Sequence, residues 1–112
     1  MPDPSFRVEM AADVPVVVTP GDIDITNAAA FRTALLEAAG RSRTFVVDMS
    51  RTQFCDTAGI HALVAAHKQA EADSREVRLV VTNAGVLRIF AITGFDQVIS
   101  RFSNLDQALA AP

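Results

Sequence analysis

The feature that most constrains this chain is a strand, a short polar loop and a helix in direct succession. Thr44-Phe45-Val46-Val47-Asp48 is apolar and rich in β-formers. It has few polar positions, as a strand covered on both faces should. A loop from Met49 to Gln53 follows, and Phe54-Cys55 leads out of it. From about Thr57 the period becomes helical. Ile60, Leu63, Val64 and His67 fall on one face by three- and four-residue steps. Asp56 and Thr57 are both residue types that cap helix starts. A hydroxyl is thus placed at the N-terminal end of a helix, just beyond the end of a strand. Free backbone N–H groups and the positive end of the helix dipole suit a phosphate there.

The remaining elements alternate around this unit. Met1-Pro2-Asp3-Pro4 is Pro-rich and expected to be a flexible N-terminus, with one domain over residues 5–112. Phe6, Val8 and Met10 alternate with Arg7 and Glu9, which reads as a strand with one wet face. Ala12-Asp13 is a turn, and Val14 to Thr19 is a second strand forming a hairpin with the first. Pro15, near its start, fits an edge or entry position. Pro20-Gly21 ends that strand, and Asp22 and Asp24 lie in the loop after it. Thr26 or Asn27 is a candidate cap for a helix striped by Phe31, Ala34, Leu35 and Ala38 and stopped by Gly40.

The central helix runs to about Ala72, and Val77, Leu79 and Val81 mark a fourth strand. Asn83-Ala84-Gly85 is a turn or cap before a third helix carrying Val86, Ile89, Phe90 and Thr93, with Gly94 as its stop. Val98 to Phe102 is the expected last strand, and Leu105 to Ala111 a short final helix. The order β-β-α-β-α-β-α-β-α predicts an α/β domain. Its sheet should be five-stranded and mostly parallel, with an N-terminal hairpin and about four helices. Val46, Val47, Leu79 and Val81 should form its core, packed by Phe31, Leu35, Leu63 and Phe90.

Composition narrows the function. A chain of 112 residues suits one domain, and half of its residues are hydrophobic. A net charge of −3 argues against a nucleic-acid surface, which needs a basic patch. The single cysteine, Cys55, has no internal disulfide partner and reads as a buried structural thiol. His61 and His67 are six apart and share no helix face, so no metal site is expected. No apolar run approaches the ~20 residues of a membrane span, and no charged-then-apolar leader precedes the domain. A cytoplasmic protein is expected. Asp48 ends a strand, but a response-regulator acceptor also needs an acidic pair after the first strand and a Lys after the last, and both are missing. No nucleophile–base pair or phosphate loop stands out, so neither an enzyme nor a cofactor is expected.

The sequence then resembles a known family. Val-Val-Asp-Met-Ser at 46–50, followed by Phe-Cys-Asp-Thr-Ala-Gly-Ile at 54–60, is similar to the signature of STAS domains, the bacterial anti-sigma factor antagonists in particular. Gly21-Asp22-Ile23-Asp24 resembles the family's Gly-Glu-Leu-Asp, and residues 86–95 resemble its apolar–Gly–apolar helix end. The likeness spans about Phe6 to Ala110 and is most specific from Asp48 to Ile60. It implies a STAS-type fold and a protein that binds an anti-sigma factor of the ATP-binding serine/threonine kinase type, freeing a sigma factor to activate transcription. It also implies phosphorylation of the hydroxyl residue directly after the motif Asp, here Thr57, and a phosphatase that resets the switch.

Three departures stand out: Thr57 replaces the usual Ser, Ala58 removes a second hydroxyl, and His61 stands where the family most often has Gly. Asp24 matches a family residue of the partner-binding surface. The predicted docking face is Asp22, Asp24, Asp56, Thr57, Ala58, Gly59 and His61. All but Ala58 also have a plainer role: Asx turns for Asp22 and Asp24, capping for Asp56 and Thr57, close helix approach for Gly59, and an ordinary surface position for His61. The segment around Thr57 is acidic rather than Arg-rich, so no internal partner is expected for a phosphate there. The alternative implied by the same resemblance is a STAS subunit of a membrane transport complex, lipid transporters included, docking without phosphate transfer. A monomer is the default for a domain of this size.

Overall fold

The computed structural model describes residues 6–112. The flexible segment expected at residues 1–4 lies outside the described residues. The strands are β1 (Arg7–Ala11), β2 (Val14–Val18), β3 (Asp22–Ile23), β4 (Thr44–Asp48), β5 (Phe54–Cys55), β6 (Glu76–Val80) and β7 (Ser100–Phe102). The helices are α1 (Ala28–Ala39), α2 (Thr57–Ala72), α3 (Ala84–Thr93) and α4 (Leu105–Ala110). Five strands make one sheet in the order β1-β2-β4-β6-β7. Only the β1–β2 pair is antiparallel. The expected mostly parallel sheet with its N-terminal hairpin is therefore what the chain forms.

The hairpin closes through two residues. Ala11 pairs with Val14, and Ala12 and Asp13 both have positive φ, 51° and 65°. That backbone twist matches the twist of the flanking strands. Asp tolerates it and Ala less so, at a cost of about 1–2 kcal/mol that the paired strands must offset.

Each face of the sheet has its own cover. Phe45, Val47, Leu79 and Val81 belong to the large core with Phe31, Leu35, Leu63 and Phe90. Phe6 stacks on Phe31 with ring centroids 5.2 Å apart. Val46, predicted for the same core, points the other way. With Val16 and Val80 it packs against Ala108 of α4. Successive side chains of a strand face opposite sides, so neighbours Val46 and Val47 must part. The apolar run in β4 thus reports burial on both faces, as expected.

Four details differ from the sequence reading. The last strand is Ser100–Phe102, because Phe95–Gln97 forms a 3₁₀ turn and Val98 closes it. β6 covers Glu76–Val80, one residue earlier than its apolar alternation indicates. Asn27 holds the cap position of α1, but its side chain makes no capping bond. It turns back instead: Oδ1 accepts from the Asp24 amide (2.9 Å) and Nδ2 donates to the Asp22 carbonyl (2.9 Å). The fourth is the pair of two-residue strands β3 and β5, which are too short for any periodicity to reveal.

Candidate functional site

β2 and β4 run parallel, with Val18 opposite Asp48, so the loops that leave them emerge together. Those loops are then joined by β3 and β5, with Asp22 opposite Phe54 and Ile23 opposite Cys55. Gln53 N donates to the Gly21 carbonyl (2.7 Å) and Asp56 N to the Ile23 carbonyl (3.0 Å). Beneath them lies a buried hydroxyl pair. Thr52 Oγ1 donates to the Pro20 carbonyl (2.6 Å), and Thr19 Oγ1 lies 2.6 Å from Thr52 Oγ1 and 3.2 Å from the Asp48 carbonyl. Both threonines are buried with their hydroxyls engaged, so they tie the loops down without an unpaired side-chain group.

Asp56 begins α2 as its N-cap. Its Oδ1 accepts from the amides of Ala58 (2.9 Å) and Gly59 (3.3 Å). Of the two expected capping residues Asp56 takes the role. Thr57 is the first helical residue, with an exposed side chain. Among the described residues its hydroxyl is therefore free of structural duty. His61 is exposed one turn further along, Ala58 and Asp56 are half-buried, and Gly59 is buried. A Cβ on Gly59 would stand 2.6 Å from Cys55 Sγ and 2.8 Å from Ile23 Cγ2. Close approach is thus what this position requires.

Across from the helix start, Asp24 Oδ1 accepts from the Thr26 hydroxyl and from its amide (2.9 Å). These bonds, the Thr26 hydroxyl first, hold the Asp24 carboxyl below its ordinary value, so it stays ionised. The Asn27 and Ala28 amides donate to the Asp24 carbonyl. The turn role read for Asp24 is thus fulfilled, and the charge remains at the surface. Asp22 is exposed beside it. Cys55 lies under the loop, and burial, helped by the nearby Asp56 charge, pushes its thiol up to about 12. It is a neutral packing group there.

Three residues of this region were not anticipated. Ile25 and Phe54 are large apolar side chains left 80% and 52% exposed, which gives the loop pair a greasy surface beside its carboxylates. Phe54 faces outward because β5 alternates and Cys55 faces in. Arg32 is the third. It lines a groove of about 240 Å³ between α1 and α2 with Ala28, Ala29, Ala58, His61 and Ala62. Because α1 packs on α2, this groove brings Arg32 together with Ala58 and His61, residues that flank Thr57 on α2. A helical count from Phe31 puts Arg32 off the apolar stripe, but the sequence does not say which neighbour it meets.

A single α/β domain, with an exposed hydroxyl at the start of its central helix and a mixed acidic and apolar rim, is the class this geometry defines. The chain belongs to the STAS domain family, whose pattern matches residues 5–108. Among solved structures it is similar to an anti-sigma factor antagonist from Mycobacterium paratuberculosis, with 26% identity over 97% of this chain and 96% of that one and a TM-score of 0.84. The Bacillus cell fate determinant SpoIIAA in its phosphorylated form shares the fold, with 19% identity, coverage of 93% and 96%, and a TM-score of 0.72. A domain of the murine anion transporter Slc26a9 also matches, with 25% identity over 90% of this chain, 18% of the transporter, and a TM-score of 0.71. Among the described residues no helix is long and apolar enough to cross a membrane.

Proposed function

We propose that this chain is an anti-sigma factor antagonist working by partner switching in the cytoplasm. Unmodified, it docks on an anti-sigma kinase, and the sigma factor is released to activate transcription. Asp22, Asp24, Asp56, Ala58 and His61 form the docking surface around Thr57, with Gly59 allowing the helix to approach. The kinase inactivates the complex by transferring phosphate from ATP. Thr57 Oγ1 attacks the γ-phosphorus, an O–P bond forms, the bond to the bridging oxygen breaks, ADP leaves, and the hydroxyl proton passes to a base on the kinase. The product carries about −1.5 to −2 added charges on a surface already acidic. A phosphatase restores the hydroxyl.

The observation that carries this reading is the division of labour at the start of α2. Asp56 takes the cap, which leaves the Thr57 hydroxyl exposed and unengaged among the described residues. The helix dipole favours an anion there by about 0.3–1 kcal/mol, so modification is compatible with the fold. Mass spectrometry after incubation with the cognate kinase and ATP should place the phosphate on Thr57. Thr57→Ala should bind the kinase and escape labelling, and Thr57→Glu should bind at least tenfold more weakly, about 1.4 kcal/mol. Phosphate confined to another residue, or tight binding by Thr57→Glu, rejects the switch. Copurification with transport components instead of a kinase would favour a transporter subunit, the role suggested by the likeness to the Slc26a9 domain.

A further inference from the structure

Thr57 and His61 are four residues apart on α2, and both are exposed. Side chains at that spacing lie one above the other, with Cβ atoms about 5–6 Å apart. His61 opens onto the α1–α2 groove, where Arg32 is the only other charged or titratable lining residue; Ala28, Ala29, Ala58 and Ala62 supply methyl walls. Among the described residues neither Arg32 nor His61 takes part in an ion pair.

We propose that this groove is an internal receptor for a phosphomonoester on Thr57, with Arg32 and His61 as the groups that hold it. The inference rests on Thr57 being the acceptor and adds what becomes of the phosphate afterwards. Two further observations direct the phosphate towards the groove. Two of the first-turn amides, those of Ala58 and Gly59, already donate to Asp56 Oδ1, so they are not free to receive it. The Asp56 carboxylate, one residue before the acceptor, repels a dianion on the loop side. On the other side the alanine walls leave open space, and a guanidinium fork matches phosphate oxygens bidentately. His61 adds an N–H donor one helical turn away.

The phosphorylated protein then covers its own groove. Partner release has two causes, added charge and an occupied surface, and the held phosphate is shielded from hydrolysis.

The test uses the full chain with phosphothreonine installed at position 57 by semisynthesis, so that no kinase is needed. The second ionisation of the phosphate is followed by ³¹P NMR in the parent chain, Arg32→Ala, Arg32→Lys and His61→Ala. The parent should titrate lower than Arg32→Ala by roughly half a unit or more, since a nearby cation favours the dianion. His61→Ala and Arg32→Lys should fall between them. A broad-specificity phosphatase should release phosphate several-fold faster from Arg32→Ala than from the parent. Coincident titrations and equal hydrolysis rates, with all proteins folded by circular dichroism, overturn the proposal. A cognate kinase that ignores Thr57 would defeat the function proposed above without altering these curves, so the two failures are separable.

Discussion

At the residue scale, the start of α2 is packed to the limit. A methyl group on Gly59 would meet Cys55 Sγ at 2.6 Å and Ile23 Cγ2 at 2.8 Å, under the contact distance of real side chains. Gly59→Ala gains helix propensity of about 1 kcal/mol and suffers overpacking of about 1–3 kcal/mol. A net loss near 1 kcal/mol is expected in urea unfolding. Adding Cys55→Ala removes one of the two obstacles, so the pair should couple by about 0.5 kcal/mol or more; strictly additive losses would show that the clash is relieved elsewhere. The residue types Asp56, Thr57 and Gly59 were readable in the sequence, because capping and close approach have local chemical signatures. The division between Asp56 as cap and Thr57 as free hydroxyl was not. Either side chain is able to cap, and only the backbone path decides which one does.

At the scale of elements, α4 shows what strand alternation conceals. Arg78 occupies a strand position next to Leu79, where a polar residue reads as solvent-facing. It is only 8% exposed. Its guanidinium donates to the carbonyls of Ala108 (2.8 Å), Ala111 (2.9 Å) and Pro112 (3.0 Å) and pairs with Glu76. Carbonyls at the end of a helix lack partners of their own, and this fork takes up that of Ala108 and two just beyond the helix while pinning α4 over Val16, Val46 and Val80. Arg78→Met should cost about 1.5–3 kcal/mol, the range for losing charge-assisted hydrogen bonds, with the buried Ala108 carbonyl left unpaired. Hydrogen exchange of α4 amides should rise more than exchange in α2. Arg78→Lys should fail to restore protection, since a single ammonium does not reproduce the fork. Unchanged exchange in α4 would mean that the apolar contacts alone hold it.

At the scale of the whole molecule, Cys55 gives global stability an alkaline limit. Its folded thiol ionises at about 12 against an ordinary value of 9.0, mainly through burial and secondly through Asp56. Below pH 9 both states keep the proton, so stability does not depend on this group. Between about 9 and 12 the unfolded chain loses the proton and the folded one does not. Stability then falls with rising pH, by up to about 1.4 kcal/mol per unit. The chain has no Tyr and one Lys, so few other groups titrate there. Urea unfolding from pH 7 to 10.5 should show a flat region and then a decline, and Cys55→Ala should remove most of the decline. An equal decline in the variant would place its origin elsewhere.

The sequence by itself determined the order of the main elements, the hairpin turn, most of the large core and the strand–loop–helix unit that carries Thr57. These follow from periods of two and 3.6 residues and from the local chemistry of turns and caps, all of which act over a few neighbours. Tertiary structure decided what meets what. Parallel pairing of β2 with β4 brought the Asp22–Asp24 loop to Thr57, and β3 with β5 locked the two together. Packing of α1 on α2 set Arg32 beside His61, and closure of α4 over the second face turned Arg78 inward. Each is a contact between residues far apart in the chain, selected by how buried surfaces fit in three dimensions, and no local pattern encodes it.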